Sequence, residues 1–161
     1  DKSQKKKPYR IAVLGDMREL GTNSRIEHED LANIAFDKAD EFFLVGKEMR
    51  NFFIPKLLDL GINKYKIHWF EKAGDAAKAL KKFFSAYFDS KDPLSDVDDF
   101  YSKYIDKQTF QNDYLPVILI KGSQNTIFLE IVVEELLSNV IDKDKLCRRG
   151  KVWDKQRKNF I

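Results

Sequence analysis

Two glycine-bracketed segments carry the residues best suited to chemistry. The first is Gly15-Asp16-Met17-Arg18-Glu19-Leu20-Gly21, and the second is Lys121-Gly122-Ser123-Gln124. Each follows a short apolar run, Ile11-Ala12-Val13-Leu14 in one case and Val117-Ile118-Leu119-Ile120 in the other. A glycine turn between a strand and a helix is where open α/β sheets bind their ligands. In the second segment the free N–H groups of a helix start, the Lys121 charge and the Ser123 hydroxyl suit a carboxylate or a phosphate. In the first, Asp16 and the loop backbone would face a ligand at the same sheet edge. Both segments also fit plainer roles. Gly15-Asp16-Met17 suits a tight turn whose aspartate caps local N–H groups. Ser123 suits a helix cap beside a solvated Lys121.

His28 follows Ser24 by four residues, so the two share one side of a first helical turn. It is a candidate for the substrate site, weighed against the commoner hydrogen-bonded structural histidine. His68 falls inside a predicted strand with no ligand-type neighbour in sequence and reads as structural. No His/Cys/Asp spacing fits zinc. Asp96, Asp98 and Asp99 are explained by the first turn of a helix, where acids complement the macrodipole. Cys147 has no His–Asp partnership, so no nucleophile is assigned, and the chain is expected to hold no catalytic residue and no metal of its own. It contains neither the G-x-x-x-x-G-K-[ST] phosphate loop nor the G-x-G-x-x-G dinucleotide fingerprint.

The elements that position these segments alternate. Strands are predicted at Arg10–Leu14, Glu41–Val45, Lys66–Phe70 and Val117–Lys121. Helices are predicted at Ser24–Lys38, Lys47–Leu60, from about Asp75 through Tyr87, and at Asn125–Asn139. Ser24-Arg25-Ile26-Glu27 has the form of a capping box, and Leu31, Ile34 and Ala35 sit at helical spacing behind it. Gly61 suits a helix C′ position, and Asp75 an N-cap. Strand–helix alternation of this kind predicts an α/β fold, a three-layer Rossmann-like open sheet, mostly parallel, with both glycine segments at one edge.

Two parts depart from the rhythm. Residues 90–114 are too long for a bare loop. Val97, Phe100, Tyr101, Tyr104 and Ile105 predict an inserted amphipathic helix there, capped by Ser95 or Asp96. From Asp142 onward, Leu146, Trp153 and Phe160 recur every seventh residue and predict a C-terminal amphipathic helix. The expected organisation is therefore an arm at 1–8, one domain at 9–141 with an insertion at 90–114, and a helical extension at 142–161.

Composition narrows the class. The chain has 161 residues, 43% apolar and 34% charged, which suits one globular domain. A net charge of +3 is too small to imply a nucleic-acid partner. The basic tail, with Lys143, Arg148, Arg149 and Arg157 among its cations, reads as a solvated face beside an apolar stripe. One cysteine excludes an internal disulfide and fits a reducing compartment. No run approaches the ~20 apolar residues of a membrane span, and the lysine-rich start has no apolar stretch behind it. Cytoplasmic localisation is expected.

Tyr9 to His28 resembles the start of the conserved block in the C-terminal domain of Mur ligases, the ATP-dependent amide ligases of peptidoglycan synthesis. The pattern is nearest to the D-alanyl-D-alanine-adding branch, with its apolar strand, G-D-M-x-E-L-G, and a Ser and His four residues apart. The branch's K-G-S-R after the last strand, followed by a Glu and a Val-Val pair, is matched by Lys121-Gly122-Ser123-Gln124, Glu130 and Val132-Val133. Val45-Gly46-Lys47 matches a V-G step. The resemblance spans about Tyr9–Leu137. It departs from the family at Gln124, which replaces a common Arg, and in the length of the insertion. An earlier strand and helix bearing an Asn-Pro motif, the UDP-sugar domain and the P-loop ATPase domain lie outside this chain.

The resemblance implies most of the third domain of a larger ligase, inactive alone. ATP and Mg²⁺ would be held mainly by the central domain, and the partners would be a UDP-N-acetylmuramoyl peptide and a D-amino-acid dipeptide. Ser123, with Lys121 and Gly122, would bind the carboxylate of the incoming residue, with Asp16 and His28 in the same substrate site. Gly15, Asp16, Met17 and Arg18 would form the nucleotide-facing loop. The rival expectation is a non-catalytic small-molecule or anion-binding interaction module.

Overall fold

A computed structural model describes residues 6–88, 113–123 and 126–159. Its described strands form a four-stranded, all-parallel sheet in the order β3-β2-β1-β4. These are β1 (Lys7–Gly15), β2 (Glu41–Val45), β3 (Ile67–Phe70) and β4 (Tyr114–Lys121). The helices are α1 (Ser24–Ala35), α2 (Ile54–Asp59), α3 (Ala73–Tyr87), α4 (Glu130–Leu136) and α5 (Lys151–Arg157). The three-layer expectation holds. Ala12, Leu14, Phe42 and Leu44 pack one face with α1 and α2 residues such as Ala32 and Leu57. Ile11, Val13, Phe43 and Val45 pack the other with Leu80 and Phe83 of α3 and Val132 of α4. β2 lies between two strands and two helix layers, which is why all five of its residues are buried. β4 borders the sheet among the described residues, so its burial alternates: Ile118 and Ile120 face the α3 side, and Leu119 is exposed.

Several boundaries move for physical reasons. β1 reaches back to Lys7, inside the expected arm, because Lys7 and Pro8 pair with Tyr114 and Leu115. The Arg10 guanidinium donates to both Asp40 oxygens (2.9 and 3.0 Å) and holds that carboxyl below the usual carboxylate range. The inner face of α1 is His28, Leu31, Ala32 and Ala35, while Ile34 is 65% exposed. The expected capping box is not formed. A 3₁₀ turn at Gly21–Asn23 leads into the helix, Asn23 occupies the N-cap without a side-chain bond, and Ser24 is turned elsewhere. Asp75 is not the cap of α3: the helix opens after Lys72, so that Ala73 and Gly74 can be buried, and Asp75 lies exposed in its first turn.

Ahead of α2 the chain makes a wide π turn at Met49–Phe53, with Ile54 N–H bonded to Met49 O. Pro55 brings no N–H and crowds the carbonyl four residues back, and the widened turn relieves that conflict. α2 closes as expected at Gly61, with Ile62 N–H to Leu57 O and Gly61 N–H to Leu58 O, the paired bonds of a Schellman ending. The expected inserted helix with Ser95, Asp96, Val97, Phe100, Tyr101, Tyr104 and Ile105 lies outside the described residues, as does Phe160. The tail is not one continuous helix. It is a 3₁₀ segment at Val140–Lys145, a break at Arg148 (φ 55) and Gly150 (φ 104), and the seven-residue α5.

Candidate functional site at the carboxyl edge of the sheet

β1 and β4 run parallel with Leu14 beside Lys121, so Gly15 and Gly122 leave the sheet side by side. Ser123 N–H donates to Asp16 O at 3.3 Å. The two glycine segments thus meet at one edge, as the sequence predicted. They do so where the strand order turns back, with β2 and β3 on one side of β1 and β4 on the other. Ligands of open α/β sheets bind outside the carboxyl ends at such a point.

The side chains there are arranged differently from the sequence reading. Asp16 is fully buried. Its Oδ1 accepts Met49 N–H at 2.9 Å, and its Oδ2, without a hydrogen bond, faces the Arg18 guanidinium at 3.7 Å. The carboxylate therefore caps the turn that begins the second helical segment and aligns Arg18. His28 is also fully buried. Its Nε2 accepts Met17 N–H at 3.1 Å, and Nδ1 lies 2.7 Å from Ser24 O, which assigns the proton to Nδ1. The Ser24 hydroxyl donates to Glu48 Oε2 at 2.5 Å. The four-residue Ser–His spacing thus ties the Gly15–Met17 turn to α1 and to the start of the next helical segment. These contacts give Asp16 and His28 structural work rather than a surface for substrate. His28→Ala is expected to cost about 2–3 kcal/mol through two lost bonds and a cavity. It should also speed amide exchange at Met17, measurable by hydrogen exchange. Unchanged stability and exchange would mean that His28 does not hold the turn.

Lys121 is exposed, and Gly122 and Ser123 are half-buried. The expected helix at Asn125–Asn139 is corrected: α4 is Glu130–Leu136, so Ser123 does not cap it, and no helix among the described residues starts at Gly122. The cause is the apolar run Ile127-Phe128-Leu129, which is buried before the helix begins. The Ile127 side chain lies against Gly15, where a Cβ would come within 2.5 Å of its Cγ2. Leu129 lies against Gly122, where a Cβ would come within 2.8 Å of its Cδ1. The bare glycine faces accommodate the protein's own side chains.

An open cleft remains beside this plug, about 320 Å³ in volume. Arg18, Lys47 and Lys72 line it, following β1, β2 and β3 respectively, with Gly46, Thr126 and Ile127. Lys47 and Lys72 make no ion pair among the described residues, and Glu71 is the acid on the same wall. Three cations converging on a small cleft suit an anionic ligand. The sequence reading missed Lys47 and Lys72 as site residues, although each stands within two residues of the carboxyl end of a strand. A second hollow, about 440 Å³, lies between β3 and α3 and includes His68, Lys78 and Lys82, but none of the glycine-loop residues. His68 has a partner that the sequence did not show, Glu41, at 2.5 Å. The described residues contain no group of three His, Cys, Asp or Glu able to hold a metal ion, and no helix among them is long and apolar enough to cross a membrane.

An all-parallel sheet with helices on both faces and a cleft at its switch point defines a Rossmann-like α/β domain. No family model matches the chain, and no curated protein matches it in sequence. Among solved structures, MurF from Acinetobacter baumannii is similar at 23% identity and a TM-score of 0.50, over 81% of this chain and 22% of that one. The likeness establishes a shared fold, and the chain spans about a fifth of the length of that protein.

Proposed function

We propose that the chain is the C-terminal domain of a Mur-type ligase, presenting the incoming amino acid or D-amino-acid dipeptide to an acyl phosphate made on a separate ATP-binding domain. The observation that carries this reading is the meeting of the Gly15–Asp16 and Gly122–Ser123 turns at the switch point of a fold shared with MurF. In the reaction, a carboxylate of the UDP-N-acetylmuramoyl peptide takes the γ-phosphoryl group of ATP and ADP leaves. The amine of the dipeptide then attacks the acyl carbon, phosphate departs and the amide forms. Catalysis of this type is mainly positioning and charge stabilisation. Ser123 Oγ and Lys121 Nζ bind the dipeptide carboxylate. Arg18, Lys47 and Lys72 supply positive charge on the side facing the nucleotide. The cleft's donor set fits a phosphate-bearing anion. In this reading ATP and Mg²⁺ are held mainly by the separate ATP-binding domain.

In the complete ligase, Ser123→Ala and Lys121→Ala should each lower kcat/KM for the dipeptide by roughly tenfold to a hundredfold. That is the loss of one charged hydrogen bond, about 1.5–3 kcal/mol. The KM for ATP should stay within about twofold. Steady-state kinetics with each substrate varied in turn decides it, and an unchanged dipeptide constant in both variants removes the assignment.

A further inference from the structure

The crevice between the β1 and β4 carboxyl ends is occupied by Ile127 and Leu129, only 3% and 5% exposed. The loop that places them is held in unfavourable backbone geometry. Thr126 and Phe128 both lie in the left-handed region, at φ 69 and φ 54, where a β-branched or aromatic residue rarely sits. The loop stays there because other contacts over-determine it: its apolar side chains are buried in the core, and further contacts come from the C-terminal extension. The Arg148 guanidinium donates to both oxygens of Glu130, at 2.9 and 2.8 Å, in the residue that follows the plug. The same guanidinium stands over the Phe128 ring at 5.8 Å, and Trp153 meets that ring edge-on at 6.4 Å.

One turn further along α4, Glu134 accepts Arg149, Arg157 and Lys143 at 3.0, 3.4 and 3.3 Å. Partial burial pushes the Glu134 carboxyl up, but the bonds and charges of Arg149 and Lys143 outweigh it and hold it below the usual range. Asn159 of the extension forms part of the cleft wall with Thr126 and Ile127.

We infer that the C-terminal extension is an occluding strap: it clamps the Thr126–Leu129 loop into the switch-point crevice, so that a ligand reaches the Gly15 and Gly122 backbones only when the Arg148–Glu130 clamp lets go. The inference goes beyond the proposed ligase role and does not depend on which ligand the domain takes. A ligand that needs the crevice competes with Ile127 and Leu129 and shifts the loop by its differential affinity for the open state. The strained residues favour opening, and the bidentate clamp and the Phe128–Trp153 contact oppose it.

The test is thiol accessibility on this chain, with the exposed Cys147 replaced by serine. Ile127→Cys reports on the plug, and Ala77→Cys, 1% exposed in α3, reports on the core. Arg148→Ala should raise the rate of maleimide labelling at position 127 at least tenfold and leave position 77 unchanged. Arg148→Lys keeps the charge but loses the two-pronged geometry and should give a smaller, several-fold rise. A rise at 127 matched by an equal rise at 77 in both variants would mean that Arg148 supports the whole fold. No rise in either variant would mean that the extension does not hold the loop. Either result overturns the strap. Because the assay contains no ligase substrate, its outcome is separate from the kinetic test of Ser123 and Lys121.

Discussion

Gly46→Ala should cost about 3 kcal/mol of stability, lowering the thermal midpoint by roughly 6–12 °C for a domain of this size. Gly46 has φ +114, and a Cβ there would lie 2.3–2.4 Å from all three carboxylate atoms of Asp16. The neighbouring groups are fixed. Asp16 is held by Met49 N–H at 2.9 Å, Gly46 N–H donates to Phe70 O at 3.0 Å, and Trp69 Nε1 donates to Gly46 O at 2.7 Å. Neither the backbone nor the carboxylate can shift without breaking one of these bonds. The conformational cost of a side chain at positive φ is about 1–2 kcal/mol, and forced overpacking adds about 1–3 kcal/mol. Gly61→Ala separates the two effects. Gly61 has φ +89 with nothing within 4 Å of the added Cβ. It should lose only the conformational part, about 1 kcal/mol. Urea unfolding of both variants checks the comparison, and equal losses would mean that the Asp16–Gly46 contact is not tight.

Parts of the architecture were legible because local signals agreed with the tertiary demand. β2 was read to the residue: a five-residue run between Asp40 and Gly46 has one use in a parallel sheet covered on both faces. The Gly61 ending was legible because a Schellman closure has a local chemical signature. The failures fall where distant contacts override local pattern. Ile127-Phe128-Leu129 fell inside the helix expected at Asn125–Asn139, but Ile127 and Leu129 fill the space over Gly15 and Gly122, and α4 waits until Glu130. The heptad spacing of Leu146 and Trp153 pointed to one helix, whereas Arg148 breaks the chain in order to reach Glu130 and Phe128.

The candidate site was half legible for the same reason. Gly15, Asp16, Gly122 and Ser123 announce themselves as glycine turns after apolar strands. Arg18, Lys47 and Lys72 are single cations in separate loops, and only the sheet order brings them to one cleft. Ser24 and His28 were recognised as a pair, but spacing could not say that the histidine would point inward at Met17 N–H rather than outward at a ligand.

Glu41→Ala should be as damaging as Gly46→Ala, about 3 kcal/mol or more, for an electrostatic rather than a steric reason. Glu41 is 2% exposed at the amino end of β2. One carboxylate oxygen accepts the Tyr9 hydroxyl of β1 at 2.6 Å, and the other meets His68 Nε2 of β3 at 2.5 Å. Three adjacent strands are thus joined through one buried carboxylate. Burial and then the Glu41 charge push the Tyr9 hydroxyl well above its ordinary range, so it stays protonated and donates to Glu41. Removing the carboxylate takes away an acceptor shared by two buried groups, and breaking one side of a buried polar pair typically costs about 3–5 kcal/mol. Glu41→Gln keeps one acceptor oxygen and turns a donor toward the other partner, so its loss should be intermediate. Tyr9→Phe removes one donor and leaves the carboxylate with His68, at a cost nearer 1 kcal/mol. If the three groups act as one unit, Tyr9→Phe should cost much less in the Glu41→Gln background than alone, since the bond it deletes has already been weakened. Urea midpoints for the two single variants and the double variant give that coupling, and additive losses would mean that Tyr9 and His68 bind Glu41 independently. The joined groups lie near the amino ends of their strands, while Arg18, Lys47 and Lys72 follow the carboxyl ends. Glu41→Gln should therefore lower the unfolding midpoint and leave anion binding in the cleft unchanged at temperatures where the variant stays folded.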